Sequence, residues 1–145
     1  MSRNLEALEL WRGALVASVR AASPDLSARQ LALLLTVYMT PPPHTVRGLA
    51  ATLNVSKPAI TRALDRLGRL GFTKRKRDAE DRRNVLVQRT VKGSVFLHEF
   101  GQMVIDAGAV QGALDASRLR PAAVSPAAPA PGPAPSASEP VSAPV

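Results

Sequence analysis

The clearest hydrophobic pattern in the chain lies between Lys57 and Leu70. At about 100° of rotation per helical residue, the apolar side chains of this segment fall on one side of a helix and the polar ones on the other. The apolar set is Ala59, Ile60, Ala63, Leu64, Leu67 and Leu70, and the polar set is Lys57, Thr61, Arg62, Asp65, Arg66 and Arg69. Ser56 is a candidate N-cap, and Pro58 stands in the first turn, where no amide donor is needed. The pattern predicts an amphipathic helix with a face rich in hydrogen-bond donors.

A shorter apolar pattern directly precedes this helix. Its members recur at helical spacing and are Val46, Leu49, Ala50 and Leu53. Thr45 is a candidate cap for this helix, and only residues 54–56 separate it from the next one. Asn54 tolerates the left-handed torsions that such a tight connection needs. Two helices joined this closely match a helix-turn-helix.

After Leu70 the pattern changes to that of two short strands. Residues 72–77 and 85–89 are predicted as strands and 78–84 as a polar loop, which together form a hairpin. The first strand carries Lys74, Arg75, Lys76 and Arg77, and the loop carries Arg82 and Arg83. The same run of charge is also typical of a solvated edge strand that discourages strand pairing, so this interpretation stays open beside a ligand-binding one.

Amphipathic helices are predicted on both sides of this central segment. One covers residues 5–20, one follows the capping-box spacing of Ser27 and Gln30, and a long one runs from Val91 to about Arg118. In the long helix, apolar residues alternate spacings of four and three, as in a helix-pair seam. We expect a two-fold dimer built from the first and last helices. Its candidate contacts are Leu8, Trp11, Leu15, Phe96, Phe100, Met103, Val110 and Leu114.

The fold class that follows is mainly α with a small β-hairpin. Residues 1–118 are predicted to form a winged helix-turn-helix domain with flanking dimerisation helices. From Pro121 onward the chain has eight prolines and a single charged side chain, Glu139. Such a composition buries too little side chain to offset the entropy of ordering, so residues 119–145 are predicted to be a disordered Ala/Pro-rich tail.

The net positive charge of the chain is concentrated in one segment. The chain of 145 residues carries a formal charge of +8, and Lys57 to Lys92 alone hold 12 Lys and Arg against four acidic residues. The rest of the chain is balanced, so the whole excess lies on the donor-rich helix and the hairpin. This distribution indicates a polyanion-binding face.

Other classes of function find little support in the composition. The absence of Cys excludes disulfides and a thiol-based redox sensor. No apolar run approaches the roughly 18 residues that cross a bilayer, and the first residues lack a signal-peptide layout, so we expect a cytoplasmic protein without membrane contact. His44 and His98 are isolated, and Gln102 stands where a helical zinc hydrolase needs its second histidine after His98-Glu99. We therefore predict no catalytic residue, no metal site and no cofactor.

Three motifs resemble the MarR family of bacterial winged-helix transcription regulators. They are Thr45-Val-Arg-Gly-Leu-Ala, Val55-Ser-Lys-Pro-Ala-Ile-Thr-Arg-Ala-Leu-Asp-Arg-Leu and Asp81-Arg-Arg-Asn-Val-Leu-Val, within a likeness that covers about Leu26 to Phe100. The resemblance implies a homodimer on double-stranded DNA in the bacterial nucleoid. It places the helix from Lys57 in a major groove and Arg83, held near Asp81, in a minor groove, and it leaves any small-molecule effector unidentified.

The candidate DNA contacts come from the donor-rich helix, the N-caps of the two helices of the helix-turn-helix, and the hairpin. They are Thr45, Ser56, Lys57, Pro58, Thr61, Arg62, Arg66, Lys74, Arg75, Arg77, Arg82 and Arg83. The chain departs from the family pattern in two places. Arg89-Thr90 stands where the family usually has Leu-Thr, and only one C-terminal helix is predicted where the family uses two. A winged-helix protein-interaction module and a non-specific chromosome-binding protein remain the alternatives.

Overall fold

The computed structural model describes residues 2–119, with side chains described up to Ala113. The elements are α1 (Arg3–Arg20), α2 (Ala28–Met39), β1 (His44–Thr45), α3 (Val46–Leu53), α4 (Lys57–Arg69), β2 (Thr73–Arg77), β3 (Val85–Arg89) and α5 (Val91–Leu119). The chain up to Gln111 is one compact unit, and the unit that begins at Gly112 is described only as helical backbone to Leu119. The mainly α class with a winged helix is confirmed. The predicted tail and the side chain of Leu114 lie outside the described residues.

The three central helices begin at the hydroxyl residues that the sequence indicates. Ser27 and Gln30 form a reciprocal capping box, in which each side chain accepts a hydrogen bond from the other's backbone N–H. Thr45 Oγ1 accepts from the N–H of Gly48 at 2.9 Å, and Ser56 Oγ accepts from the N–H of Ala59 at 3.2 Å. Each cap satisfies one of the amide donors that a helix start leaves without an intrahelical partner, a contribution of about 1 kcal/mol.

The core forms where α2, α3 and α4 meet. The fully buried large side chains are Leu33, Leu34, Val37, Leu49, Ile60, Leu64 and Leu67. The predicted apolar face of α4 is thus confirmed, with Leu70, the C-cap residue, half-buried against the core. Asn54 adopts the left-handed conformation, with φ 52° and ψ 49°, and turns the chain from α3 into α4 as predicted.

The sheet has one strand more than the predicted hairpin. Its order is β1-β3-β2, all antiparallel, and the additional strand β1 pairs His44 with Val87 and Thr45 with Leu86. A two-residue strand directly after three prolines has no alternation that a sequence pattern could show. Because Thr45 is both a strand residue and the cap of α3, β1 connects the helix-turn-helix directly to the hairpin, which we call the wing (residues 73–89).

Helices α1 and α5 pack through small residues. Ala14 is fully buried, and a Cβ added at Gly13 would lie 2.9 Å from the Cβ of Ala107. The predicted seam of α5 therefore meets the small-residue side of α1. The expected apolar stripe of α1 contributes mainly Trp11, whose ring contacts Phe100 edge-on at 6.1 Å. The other members of that stripe, Leu8, Leu15 and Val19, are exposed.

The hydroxyl of Tyr38 joins α2 to the base of the wing. It donates to the carbonyl of Phe72 and accepts from the N–H of Thr90, both at 2.7 Å. The first turn of α5 crosses this point at Gly93. A Cβ there would overlap the Tyr38 hydroxyl and lie 2.5 Å from the Phe72 carbonyl oxygen. Only a residue without a side chain fits this crossing.

Replacing Gly93 by Ala is therefore expected to lower the free energy of unfolding by about 1 to 3 kcal/mol, as overpacking does. Gly101→Ala is the matched control, since nothing lies within 4 Å of a Cβ built there. The control should raise stability by up to about 1 kcal/mol through helix propensity. Thermal and urea unfolding of both variants measure the difference, and equal effects at the two sites would contradict the assigned crossing.

Candidate nucleic-acid interface

The polar face of α4 is open to solvent because its apolar face is buried. Lys57, Thr61 and Arg62 are exposed, whereas Arg66 is half-buried. Burial of the opposite side fixes the rotation of the helix about its axis, so these donors project away from the core. No side chain among the described residues accepts a hydrogen bond from Arg62, which leaves its guanidinium available to a ligand.

A groove runs between α4, the start of α3 and the wing. Four cationic side chains line it together with Thr61: Arg47, Lys57, Arg75 and Arg83. The structure thus brings together one residue of each neighbouring element, although they are up to 36 positions apart in the sequence. Their shared field favours an anionic group in the groove, such as a backbone phosphate.

Arg47 is a member of this groove that the sequence interpretation missed. It occupies the second position of α3, directly after Thr45 and Val46, and it is exposed. The signal was present, because a basic residue at a polar position in the first turn of a helix-turn-helix projects outward beside the cap. Arg47 lies outside the segment from Lys57 to Lys92, so the position of the excess charge along the sequence does not indicate it.

Arg75 is engaged by an ion pair across the groove. Its Nη2 lies 2.6 Å from Oδ1 of Asp65, so the pair connects β2 to α4. The two side chains are 38% and 45% exposed, and a pair this open to solvent contributes at most about 1 kcal/mol. The pair orients the wing on α4 and offsets part of the charge of Arg75, whose contact with DNA stays a prediction.

The basic run of β2 is divided between two faces of the sheet. Successive side chains of a strand point to opposite sides. Arg75 and Arg77 share the face of their partners Val87 and Val85, while Lys74 is on the other face with Gln88. The structure therefore does not bring Lys74 to the groove with Arg75.

The wing loop uses its acidic residues to hold its own backbone. Asp81 Oδ1 accepts from the N–H of Arg83 at 3.1 Å, and Asp78 Oδ1 accepts from the N–H of Glu80 at 3.0 Å. Arg77 donates to the carbonyl of Arg82 at 3.3 Å. These bonds shape the tip, where the side chains of Arg82 and Arg83 are exposed.

The two predicted contacts at helix starts use their hydroxyl oxygens as acceptors for backbone N–H groups. Thr45 and Ser56 act as caps, and Pro58 is an exposed residue of the first turn of α4. Among the described side chains, which extend to Ala113, no group of His, Asp and Glu is arranged to hold a metal ion. Across residues 2–119, no helix combines the length and the apolar character that a membrane span requires.

Comparison with known proteins identifies the family that this arrangement resembles. Residues 26–85 match the model of the MarR family. A mutant of MarR from E. coli is 25% identical, with a TM-score of 0.60 over 80% of this chain and 86% of that chain. The MepR–DNA complex of S. aureus is 20% identical, with a TM-score of 0.61 over 79% and 90%.

A third solved structure is also a complex. The transcriptional repressor CouR bound to a 23-mer DNA duplex is 23% identical, with a TM-score of 0.60 over 79% of this chain and 78% of that chain. No curated protein matches the chain significantly. The resemblance drawn from the three sequence motifs is confirmed.

Proposed function

We propose that this protein, whose residues 26–85 match the model of the MarR family, is a transcription regulator that binds specific sites in double-stranded DNA as a homodimer. In this proposal α4 enters the major groove, and the wing reaches the adjacent minor groove. The setting is the bacterial cytoplasm, where the chromosome is accessible.

The observation that carries the proposal is the position of the charge. Twelve Lys and Arg against four acidic residues fall between Lys57 and Lys92, and α4 and the wing border one groove. A surface that served only solubility would distribute its charge around the molecule. A protein-docking winged helix would need an apolar or mixed face on α4, but Lys57, Thr61 and Arg62 are exposed there.

The dimensions of α4 suit a major groove. Its 13 residues give a rod of roughly 20 Å, and B-DNA offers a groove about 12 Å wide. An exposed guanidinium that is not paired within the protein can form the bidentate contact with guanine O6 and N7. Arg62 is the residue of α4 that best meets these conditions, which supports sequence-specific binding over coating of the chromosome.

The wing contributes positive charge, and its side chains offer less base-specific hydrogen bonding than those of α4. Arg82 and Arg83 are exposed at its tip, and Arg83 also lines the groove beside α4. A narrow minor groove in A/T-rich DNA concentrates negative potential and attracts such Arg side chains. The MepR and CouR complexes are solved relatives of the same fold bound to DNA, which supports the comparison.

The dimer is supported by an apolar stripe on α1 that the described part of the chain leaves largely exposed. Leu8 and Val19 are 64% and 76% exposed, and Trp11 and Leu15 lie between them on the same face of the helix. On α5, Ile105 and Val110 are exposed as well, while Met103 is half-buried. Phe96 and Phe100 are largely covered within one chain, so a variant at Phe100 would damage the monomer itself.

Arg62→Ala should weaken binding to a specific site by about 1 to 3 kcal/mol and leave non-specific binding nearly intact. The site is to be defined by footprinting on the DNA upstream of the protein's own coding sequence, and affinities measured against a scrambled duplex. Arg66→Ala is the comparison, since a phosphate contact loses affinity for both duplexes equally. Equal losses for Arg62→Ala would favour the non-specific, chromosome-binding alternative.

Arg83→Ala should weaken binding on both duplexes and reduce the salt slope, the dependence of log affinity on log salt concentration, by about 1. The reason is that a phosphate or minor-groove contact releases counterions without reading base edges. Titrations at several salt concentrations measure this slope. An unchanged slope with unchanged affinity would remove the wing from the interface.

A double variant, Leu8→Glu with Val19→Glu, should yield folded monomers that bind DNA weakly. The two introduced carboxylates are exposed in the monomer and would be buried only if the dimer formed. Met39→Glu is the control, since Met39 is 75% exposed on another helix. Sedimentation gives the mass, and binding to a palindrome with half-sites about 34 to 36 Å apart tests the geometry. A wild-type protein that sediments as a monomer at tens of micromolar would refute the dimer.

A further inference from the structure

Arg89, the last residue of β3, closes the C-terminal end of α2. Its Nε donates to the carbonyl of Val37 and its Nη2 to the carbonyl of Thr40, both at 2.8 Å. The last carbonyls of a helix have no intrahelical partner, and the planar fork of a guanidinium can reach two of them at once. The guanidinium carbon also lies 5.8 Å from the centre of the Tyr38 ring. Val37 and Tyr38 of α2 and Thr40 at its C-cap thus all interact with one side chain of the wing.

The next residue along the chain strengthens the same junction. Thr90 donates its N–H to the Tyr38 hydroxyl, and its own hydroxyl donates to the carbonyl of Gly71 at 2.6 Å. Gly71 leads into β2, so the bases of both wing strands converge on α2 here. From β1, the ring Nε2 of His44 lies 3.1 Å from the same Thr40 carbonyl that Arg89 uses.

Arg89 sits at the opposite end of β3 from the wing tip. Arg83 is six residues away, which at about 3.3 Å per residue is roughly 20 Å. Over that length, a tilt of about 5° at the base displaces the tip by roughly 2 Å, enough to break a hydrogen bond whose length varies by only a few tenths of an ångström. The orientation of the base therefore decides where the tip meets a ligand.

We propose that Arg89 is the positioning residue of the wing, which fixes the wing to α2 and so sets where Arg83 meets DNA. This rests on the proposed function for its consequence, whereas the junction itself is a property of the free protein. A Leu at this position, as the MarR family usually has, donates no hydrogen bond to these two carbonyls. In this chain Arg89 adds a polar connection between core and wing, and its guanidinium is engaged by α2 instead of DNA.

The test is a double-variant cycle on DNA affinity. Arg89→Leu alone should weaken binding roughly three- to tenfold, the net equivalent of about one ordinary hydrogen bond. In an Arg83→Ala background the same change should have almost no further effect, because the contact it positions is already gone. Lys92→Leu, an exposed cation three residues away, controls for the loss of one charge. Its effect should be small and equal in both backgrounds.

Two further readouts separate positioning from a general loss of stability. Arg89→Lys, which keeps the charge and one donor group, should restore part of the affinity. Hydrogen exchange of the free Arg89→Leu protein should show faster exchange of amides in β2 and β3 and unchanged exchange in α4. If Arg89→Leu unfolds the domain, the Arg89→Lys variant is carried through the same cycle.

Three results would overturn the proposal. In the first, the fold losses of DNA affinity caused by Arg89→Leu and Arg83→Ala multiply in the double variant. In the second, Arg89→Leu lowers the salt slope by a further unit in the Arg83→Ala background. In the third, Arg89→Leu leaves the hydrogen exchange of amides in β2 and β3 unchanged. The second result would make Arg89 a phosphate contact in its own right. If Arg83→Ala itself leaves affinity unchanged, the proposed function loses its wing contact, and the exchange measurement alone decides whether Arg89 holds the wing.

Discussion

Burial of one face of α4 is the constraint on which the rest of the structure depends. Ile60, Leu64 and Leu67 are fully buried against α2 and α3, and together they contribute several kcal/mol, at about 1.5 to 3 kcal/mol for each large aliphatic side chain. A helix held in this way cannot rotate without exposing that area. The direction of Lys57, Thr61 and Arg62 is therefore set by the buried residues on the other face of the helix.

Sequence patterns predicted the helical part of the site well because the relevant forces are local. Caps such as Thr45 and Ser56 act within three residues of themselves, and the period of α4 separates its two faces without reference to any other element. The wing strands followed from alternation and from the polar loop between them. Long-range pairings carry no such period, which is why β1 and the arrangement of Arg47, Lys57, Arg75 and Arg83 around one groove became visible only in three dimensions.

The departure at Arg89 shows the limit of comparison by motif. As a change from Leu to Arg in a family pattern, it looks like a weakened match. In the structure it satisfies two helix-end carbonyls and lies near the ring of Tyr38. The seam of α5 is a similar case, because its spacing predicted an apolar partner but could not say that α1 would approach it closely at Gly13, opposite Ala107.

The Tyr38 hydroxyl has a consequence for the order in which the chain folds. Its bonds to Phe72 and Thr90 join atoms 34 and 52 residues apart, whereas α3 and α4 are adjacent in sequence. The entropic cost of closing a loop rises with the length of the loop, so contacts between neighbouring helices form before such distant ones. The helix-turn-helix is thus expected to assemble early in folding. The wing would attach last, when a single phenol oxygen meets the two strand ends that it holds together.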